Sequence, residues 1–283
     1  RVLHMKSIAS VLSLIVLGFG LVGCPGGGGG GGGTETASGS FTRVALVPNR
    51  ADNTVSVFLV DNATGRLRPR GYVVSGTTPR AVAVHPSGKF FYTINNGSSD
   101  VSAHALSSTG LATAVTGSPF SLIPATGPTA VAVSPDGQFL FVANQGTNNV
   151  SVFEINQTTG GLTGAPGSPF TLGSAVGPTA IAVNPSGNLL FVTNNANNPS
   201  LTGKLSVFII QATGTLIQVG GPLTLGLDPQ AVVLNATGTV VYVANKGASS
   251  IFAFSVDQNT GVLTLFDTEL LPASPAPSSL AFG

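Results

Sequence analysis

The chain has 283 residues, of which 42% are hydrophobic and 7% are charged, and its formal net charge is +1. This balance excludes a nucleic-acid reader built on a basic stripe, and 38 Gly with 19 Pro exclude a coiled coil. The single Cys excludes an intrachain disulfide.

The first predicted element is a secretion signal over residues 1–23. Lys6 precedes an apolar run over residues 8–22 that is too short and too rich in Gly to favour a permanent transmembrane helix. The run ends in Leu-Val-Gly-Cys at residues 21–24, which resembles the lipobox of bacterial lipoproteins. The resemblance implies cleavage before Cys24 and attachment of a lipid to its thiol. The alternative is an ordinary signal peptide followed by an unrelated Cys.

Residues 24–40 are predicted to form a flexible tether. Eight consecutive Gly follow Pro25, and polyglycine gains too little from any fixed conformation to offset its lost entropy. A lipid on Cys24 would make the membrane a partner and place the protein in the cell envelope. Inner-membrane lipoproteins of double-membrane bacteria usually carry Asp directly after the lipidated Cys, so Pro25 favours the outer membrane.

A repeat of about 50 residues fills residues 41–283, which we predict to be a single domain. Each copy opens with Pro and continues with a short apolar run and a turn that contains Gly. The opening prolines, at spacings of 49, 50, 51 and 48, are Pro79, Pro128, Pro178, Pro229 and Pro277. Asn ends the second apolar run of each copy, and these residues are Asn49, Asn95, Asn144, Asn194 and Asn245.

Each copy predicts four short β-strands, here named a to d. In the third copy, strand a covers residues 130–133, strand b 139–143 and strand c 150–155, and strand d is less regular. The runs are rich in β-branched and aromatic residues, and no helical period is present. Four strands in about 49 residues are typical of one blade of a β-propeller, so the predicted fold class is all-β.

The ends of strand b carry a family resemblance. They read Phe-Tyr-Thr-Ile-Asn at 91–95, Phe-Val-Ala-Asn at 141–144, Phe-Val-Thr-Asn at 191–194 and Tyr-Val-Ala-Asn at 242–245. These runs resemble the YVTN-type β-propellers and the lactonase-type propellers, which include a 6-phosphogluconolactonase. The resemblance covers nearly all of residues 42–283. It implies the fold, but blade motifs are shared by propellers with unrelated functions.

The two ends of the repeat region predict the number of blades. Residues 42–76 supply strands b, c and d, and residues 277–283 supply one strand a. Pairing of 277–283 with the strand near residues 44–47 would close a ring of five blades, which removes open sheet edges. The lactonase-type relatives have seven blades, so the alternative is a piece of a seven-bladed propeller.

The five repeated Asn are expected on the top face, which we define as the side of the propeller that carries the d–a connections and the b–c turns. One interpretation is a ring of amides that binds a polar ligand. The other, which we favour, is structural: each Asn bonds backbone groups nearby and holds the blades in register. Appearance in every blade favours the structural interpretation, because a ligand rarely needs five equivalent contacts.

The candidate ligand-binding residues are those that break the repeat on the top face. Arg80 stands where other copies have Thr129, Thr179, Gln230 and Ser278, and a guanidinium can bind a carboxylate or phosphate. Asp228 and Lys246 are further charged residues at this face. The b–c loop of the fourth copy, from Asn195 to Lys204, is five residues longer than its counterpart in the third copy. Solvated loop residues and a neutral insertion are the alternatives.

No catalytic constellation is visible in the sequence. The inner strands carry small residues, mostly Ala, and no carboxylate pair, and no His/Cys/carboxylate cluster has metal-ligand spacing. His85 belongs to a turn of the lower face, and His104 fills a column that is otherwise Phe. We therefore predict a monomeric binding or scaffold module, with a protein or carbohydrate ligand and no cofactor or metal. The alternative, implied by the resemblance alone, is a hydrolase of sugar lactones.

Overall fold

The computed structural model of the chain describes residues 15–16, 43–198, 200–271 and 276–281. All regular structure in these ranges is β-strand, arranged as five antiparallel sheets. Each sheet is one blade, and its strands follow one another from the inner edge outward in chain order. The predicted all-β propeller fold is therefore confirmed.

The strands of the five blades are as follows. The first blade contains β1 (Ile15–Val16), β2 (Val44–Asn49), β3 (Thr54–Val60) and β4 (Leu67–Val74). The second contains β5 (Pro79–Val84), β6 (Phe90–Asn95), β7 (Asp100–Leu106), β8 (Ala112–Ala114) and β9 (Phe120–Ser121). The third contains β10 (Pro128–Val133), β11 (Phe139–Asn144), β12 (Asn149–Ile155), β13 (Leu162–Gly164) and β14 (Phe170–Thr171). The fourth contains β15 (Pro178–Val183), β16 (Leu189–Asn194), β17 (Thr202–Ile210), β18 (Leu216–Gln218) and β19 (Leu223–Leu227). The fifth contains β20 (Pro229–Leu234), β21 (Val240–Asn245), β22 (Ser250–Val256) and β23 (Leu263–Leu270).

The outermost strand explains why strand d looked irregular in the sequence. In the three middle blades it is split into two short strands that both pair with strand c. In the first and fifth blades it is a single strand of eight residues. Both long strands are almost fully exposed, because they form the outer rim of their blades.

The a–b turns are held by glycines in the left-handed region. Gly137 has φ +77°, and its N–H donates to the carbonyl oxygen of Ser134 at 2.9 Å. A Cβ at this position would collide with the ring of His85 in the preceding blade. The glycine of this repeated turn is thus required by both the backbone and the neighbouring blade.

The core lies between blades, where the face of one sheet packs on the next. Four hydrophobic clusters join the first blade to the second, the second to the third, the third to the fourth and the fourth to the fifth. The largest fully buried side chains of these clusters include Tyr92, Phe91, Phe141 and Phe191. Inner-strand alanines such as Ala180 and Ala182 pack against the cluster of the fourth and fifth blades. Side chains of the innermost strand point alternately to the two faces of their own sheet, which lets these small residues pack between blades.

Closure of the ring by residues 277–283 is not what the structure contains. The inner edge of β2 is paired with β1, with Ile15 opposite Leu46 and Val16 opposite Ala45. Residues 276–281 form no strand, and residues 282–283 lie outside the described ranges. In the uncleaved chain β1, which lies within the predicted signal segment, thus occupies the part of the β2 edge where the C-terminal strand was expected. Within the described ranges, no hydrophobic cluster joins the fifth blade to the first.

Candidate functional site

The top face is defined by strand direction. Strands a and c run away from it and strands b and d run toward it, so the d–a connections and b–c turns meet at one edge of every sheet. The residue after each opening Pro and the residue after each repeated Asn are both at this edge. Charged residues at these two repeat positions, together with Asp228 directly before an opening Pro, make up the candidate site.

Thr129 and Thr179 show what the residue after the opening Pro does in the regular blades. The hydroxyl of Thr129 donates to the carbonyl of Pro178 at 2.8 Å, and that of Thr179 donates to the carbonyl of Pro229 at 2.7 Å. Each Thr thereby ties its blade to the next. In the second blade Arg80 holds this place, and the bond to the next blade is made instead by the side-chain amide of Asn96, which donates to the carbonyl of Pro128 at 2.9 Å.

Arg80 is therefore not needed to join the blades. Its guanidinium makes no hydrogen bond or ion pair within the described residues, and the residue is exposed. Partial enclosure of the side chain lowers the pKa of Arg80, and the positive charge of Arg50 lowers it further. Arg50 follows Asn49, as Asn96 follows Asn95, so it approaches the second blade from the top of the first. The Arg80 guanidinium remains protonated at neutral pH.

Asp228 lies at the junction of the fourth and fifth blades. It is 8% exposed, and its carboxylate accepts hydrogen bonds from Gln230 Nε2 at 2.6 Å and from Asn195 Nδ2 at 3.4 Å. Its φ is +49°, matching the positive φ of Thr78, Gly127 and Gly177 at the same repeat position. The backbone N–H of Lys246 donates to the carbonyl of Asp228 at 2.9 Å, and the side chain of Lys246 is exposed. The structure thus brings together Asp228, Asn195 and Lys246.

Lys204 does not belong to the loop in which the sequence placed it. Strand c of the fourth blade begins at Thr202, where it pairs with Leu227 of β19, and Lys204 pairs with Thr224. Pairing with β19 extends the strand toward the top face, so the b–c loop ends before Thr202. The Lys204 ammonium donates to Thr224 Oγ1 at 3.2 Å and is not directed to the Asp228 group by any described contact.

The five repeated Asn use their side-chain amides within their own b–c hairpins. Asn95 Nδ2 donates to Asp100 Oδ1 at 2.6 Å and to Ser102 Oγ at 2.9 Å. The corresponding amides of the other four blades donate to Thr54 and Ser56, to Asn149 and Ser151, to Lys204 O and Ser206, and to Ser250. Asn95, Asn144, Asn194 and Asn245 are fully buried between blades, and Asn49 is half-buried.

Both described histidines join blades. His85 Nε2 donates to the carbonyl of Gly137 at 3.0 Å, while its Nδ1 accepts from the backbone N–H and the hydroxyl of Ser87. His104 Nε2 donates to the carbonyl of Val74 at 3.0 Å, and its ring is stacked on Phe91 with centroids 4.8 Å apart. Burial lowers the pKa of both imidazoles. Neither ring lies on the top face.

Other predicted features are not part of this site. Cys24 and the tether lie outside the described residues, as does the signal segment except for Ile15–Val16. Within the described ranges, no group of three or more His, Cys, Asp or Glu is placed to hold a metal ion. The same ranges contain no helix of the length and hydropathy needed to cross a membrane.

Sequence reasoning missed Asn96 as the residue that replaces Thr in tying two blades together. The signal in the sequence was Arg80, which departs from the Thr that the third and fourth copies carry at this position. Arg80 was recognised as a cation of the top face, but its pairing with Arg50 of the neighbouring blade was not.

The fold and the repeated top edge define a β-propeller with lactonase-type blades. The sequence profile described as "Lactonase, 7-bladed beta-propeller" matches residues 36–120, 120–176 and 165–282, so the chain belongs to this family. No curated protein matches the chain in sequence.

Solved structures with the same fold include two proteins with related descriptions. A putative 6-phosphogluconolactonase of Bacteroides fragilis is 19% identical with a TM-score of 0.70, over 83% of this chain and 69% of that one. A periplasmic gluconolactonase of Pseudomonas aeruginosa is 22% identical with a TM-score of 0.68, over 80% of this chain and 67% of that one. At this identity the likeness establishes the fold.

Proposed function

We propose that this protein is a lipid-anchored, monomeric binding module of the cell envelope that holds an anionic ligand on its top face. The observation that carries the proposal is the pair formed by Arg50 and Arg80. The charge of Arg50 lowers the pKa of Arg80, and neither guanidinium has a hydrogen bond or ion pair within the described residues. An anion bound between them would relieve their mutual repulsion.

The chemistry of the pair sets the ligand class. A guanidinium presents parallel N–H donors that match the two oxygens of a carboxylate or phosphate, and two guanidinium groups suit a dianion or a planar carboxylate. A sugar acid or an acidic segment of a protein carries such groups. Asp228 at the far side of the top face is already bonded to Gln230 and Asn195, so it supports that rim rather than competing for the two arginines.

The position of the tether fits this role. Strand b of the first blade runs toward the top face, so its first residues, next to Arg43, are at the opposite face. A tether from a lipidated Cys24 would enter the domain there and leave Arg50 and Arg80 away from the point of attachment. Because Pro25 stands where inner-membrane lipoproteins usually carry Asp, we place the anchor in the outer membrane.

Titration of gluconate and of inorganic phosphate by calorimetry tests the binding function. Binding should weaken about ten-fold in Arg80→Ala, in keeping with loss of a charge-assisted hydrogen bond, and should fall as salt is raised. Arg66→Ala, at an exposed arginine of the opposite face, is the matched control and should bind like the wild type. Equal binding by the wild type and Arg80→Ala would remove this site assignment.

Hydrolysis of sugar lactones is the second candidate function, and family membership favours it. It requires a group that activates water and a group that stabilises the developing oxyanion. The two arginines could supply the second, and Asp228 is the most buried top-face carboxylate that could supply the first. Assays of turnover on a panel of gluconolactones, with and without divalent metal, decide between the two functions. Turnover by the wild type that is lost in Asp228→Asn would show that the protein is an enzyme and not only a binding module.

The envelope location has its own test. Cys24→Ser should shift the protein from the detergent fraction to the soluble fraction, and the intact mass of the wild type should exceed that of the chain after signal cleavage by a lipid increment. Wild-type protein that is soluble and has an unmodified thiol would contradict the anchor.

A further inference from the structure

The lower face, which lies opposite the top face, has positive charge on two neighbouring blades. In all five blades the residue directly before strand b accepts, through its carbonyl, the N–H of the last residue of strand c. These lower-face residues are Arg43, Lys89, Gln138, Asn188 and Thr239. A cation therefore stands at this position in the first and second blades but not in the other three, and both cations are exposed.

Three arginines at the outer rim of the first blade extend this positive region. Arg66 directly precedes β4, and Arg68 and Arg70 lie in the first half of β4, which is the end nearer the lower face. All three are exposed. The end of β3 lies between Arg43 and the start of β4, so the backbones of these two segments are about 10 Å apart. We call Arg43, Arg66, Arg68, Arg70 and Lys89 the basic patch.

A contact between blades holds the two parts of the basic patch together. Arg70 Nε donates to the carbonyl of Thr109, in the c–d turn of the second blade, at 2.9 Å. A Cβ at Gly110 of the same turn would lie 3.6 Å from Cγ of Arg70, so the arginine stem packs on this turn. The basic patch thus spans the lower end and the perimeter of two neighbouring blades, which are surfaces that packing between blades leaves open.

The charge of the basic patch is only partly balanced by carboxylates. Asp61 pairs with Arg68 at 3.1 Å, and a hydrogen bond from the backbone N–H of Thr64 lowers the pKa of Asp61, so the pair stays ionised. The other acidic residues of the described lower face belong to the third and fifth blades and are Asp136, Glu154 and Asp257. The lower face is therefore polarised, with net positive charge on the first two blades.

We infer that the basic patch binds the anionic headgroups of a phospholipid membrane. A guanidinium matches the oxygens of a phosphate, and each Arg or Lys within about 10 Å of an anionic bilayer is attracted to it at 0.1 M salt. The nearby membrane is supplied by the lipid anchor of the proposed function, on which this inference rests.

The place where the tether joins the domain favours a membrane over an acidic protein as the partner. β2 begins at the lower face next to Arg43, so a tether from a lipidated Cys24 would join the domain beside the basic patch. A glycine-rich tether over residues 24–40 would span about 20–25 Å, which gives the basic patch a high effective concentration at the membrane surface. In this orientation the top face, with Arg50 and Arg80, points away from the membrane.

Vesicle sedimentation of the full chain carrying Cys24→Ser tests the basic patch without the lipid anchor. The protein should sediment with vesicles of phosphatidylglycerol and phosphatidylethanolamine and stay in solution with vesicles of phosphatidylcholine, and its binding should fall as salt is raised. Arg66→Gln and Lys89→Gln should each weaken binding about five-fold, and about twenty-five-fold together. Lys204→Gln makes the same change of charge near the other end of a blade, so it is the matched control and should bind like the parent protein.

Three results would overturn the inference. One is that folded Cys24→Ser protein ignores the anionic vesicles at low salt or binds phosphatidylcholine vesicles equally well. Another is an equal loss of binding in Lys204→Gln, which would mean that only the total charge matters. The third is that Arg80→Ala abolishes vesicle binding while Arg66→Gln with Lys89→Gln does not, which would assign the headgroup phosphate to the top face. The anchor itself is judged separately, by the intact mass of the wild type.

Discussion

The side-chain amide of Asn96 donates to the carbonyl of Pro128 at 2.9 Å, across the boundary between the second and third blades. Two other blade boundaries use a Thr hydroxyl from the inner strand for the same purpose. Because Asn96 makes this bond in the second blade, the inner-strand position does not need a Thr, and Arg80 occupies it. The second blade therefore differs from the third and fourth at two positions: Asn96 joins the blades, and Arg80 replaces the Thr that joins them elsewhere.

A double-mutant cycle on Asn96 and Arg80 tests this exchange. Asn96→Ala should cost about 1 kcal/mol of unfolding free energy, because the Pro128 carbonyl loses its partner. In Arg80→Thr the new hydroxyl can reach the same carbonyl, so Asn96→Ala should cost less in that background. Urea denaturation measures both values. Gln145→Ala, at the equivalent position of the third blade, is the control and should be nearly neutral; equal costs in both backgrounds would show that the residues act independently.

Gly137→Ala should be strongly destabilising. The backbone at this turn has φ +77°, which costs an L-residue roughly 1–2 kcal/mol, and the added methyl would collide with the His85 ring. Gly164→Ala is the matched control, since a Cβ there meets nothing within 4 Å. Thermal melts should therefore show a lowered Tm for Gly137→Ala alone. A Tm equal to that of the control would mean that the turn and the His85 contact tolerate the methyl group.

Stability should decrease as pH falls below about 6.5, the ordinary pKa of histidine. Burial lowers the pKa of His85 and His104 in the folded state, so the unfolded chain takes up protons first as the pH falls. The stabilisation is fully present above the unfolded pKa and is lost as the pH approaches the folded values. Protonated His104 would place a second buried N–H where its Nδ1 has no partner within the described residues.

His104→Phe isolates one part of this pH dependence. Phe occupies the same column in the other four blades, and the ring can stack on Phe91 as the imidazole does. The variant should match the wild type within about 1 kcal/mol at neutral pH, because Val74 is exposed and water can replace the lost donor. Its stability should change less between neutral and acid pH. An unchanged pH profile would assign the acid sensitivity to His85 and other groups.

The sequence by itself determined the strands and turns that make up a single blade. In the third blade, strands a, b and c appear within two residues of the expected places, because alternating apolar residues and a Gly that takes positive φ act over a few neighbouring residues. The family followed from the same local pattern, repeated at the ends of strand b. Strand d was less readable because its pairing with strand c is split in the middle blades.

Only the tertiary structure decided whether residues at the same position of the repeat also have the same surroundings. Asn49 and Asn95 hold the same place in the repeat, yet one is half-buried and the other is buried beneath Ser75 and Gly76. The difference depends on whether another blade covers the face, and such contacts join residues about twenty or more positions apart. The same holds for Arg50 and Arg80, which lie thirty residues apart in sequence and interact electrostatically because their blades are neighbours. A local pattern cannot specify these contacts, since they arise when whole sheets pack face to face.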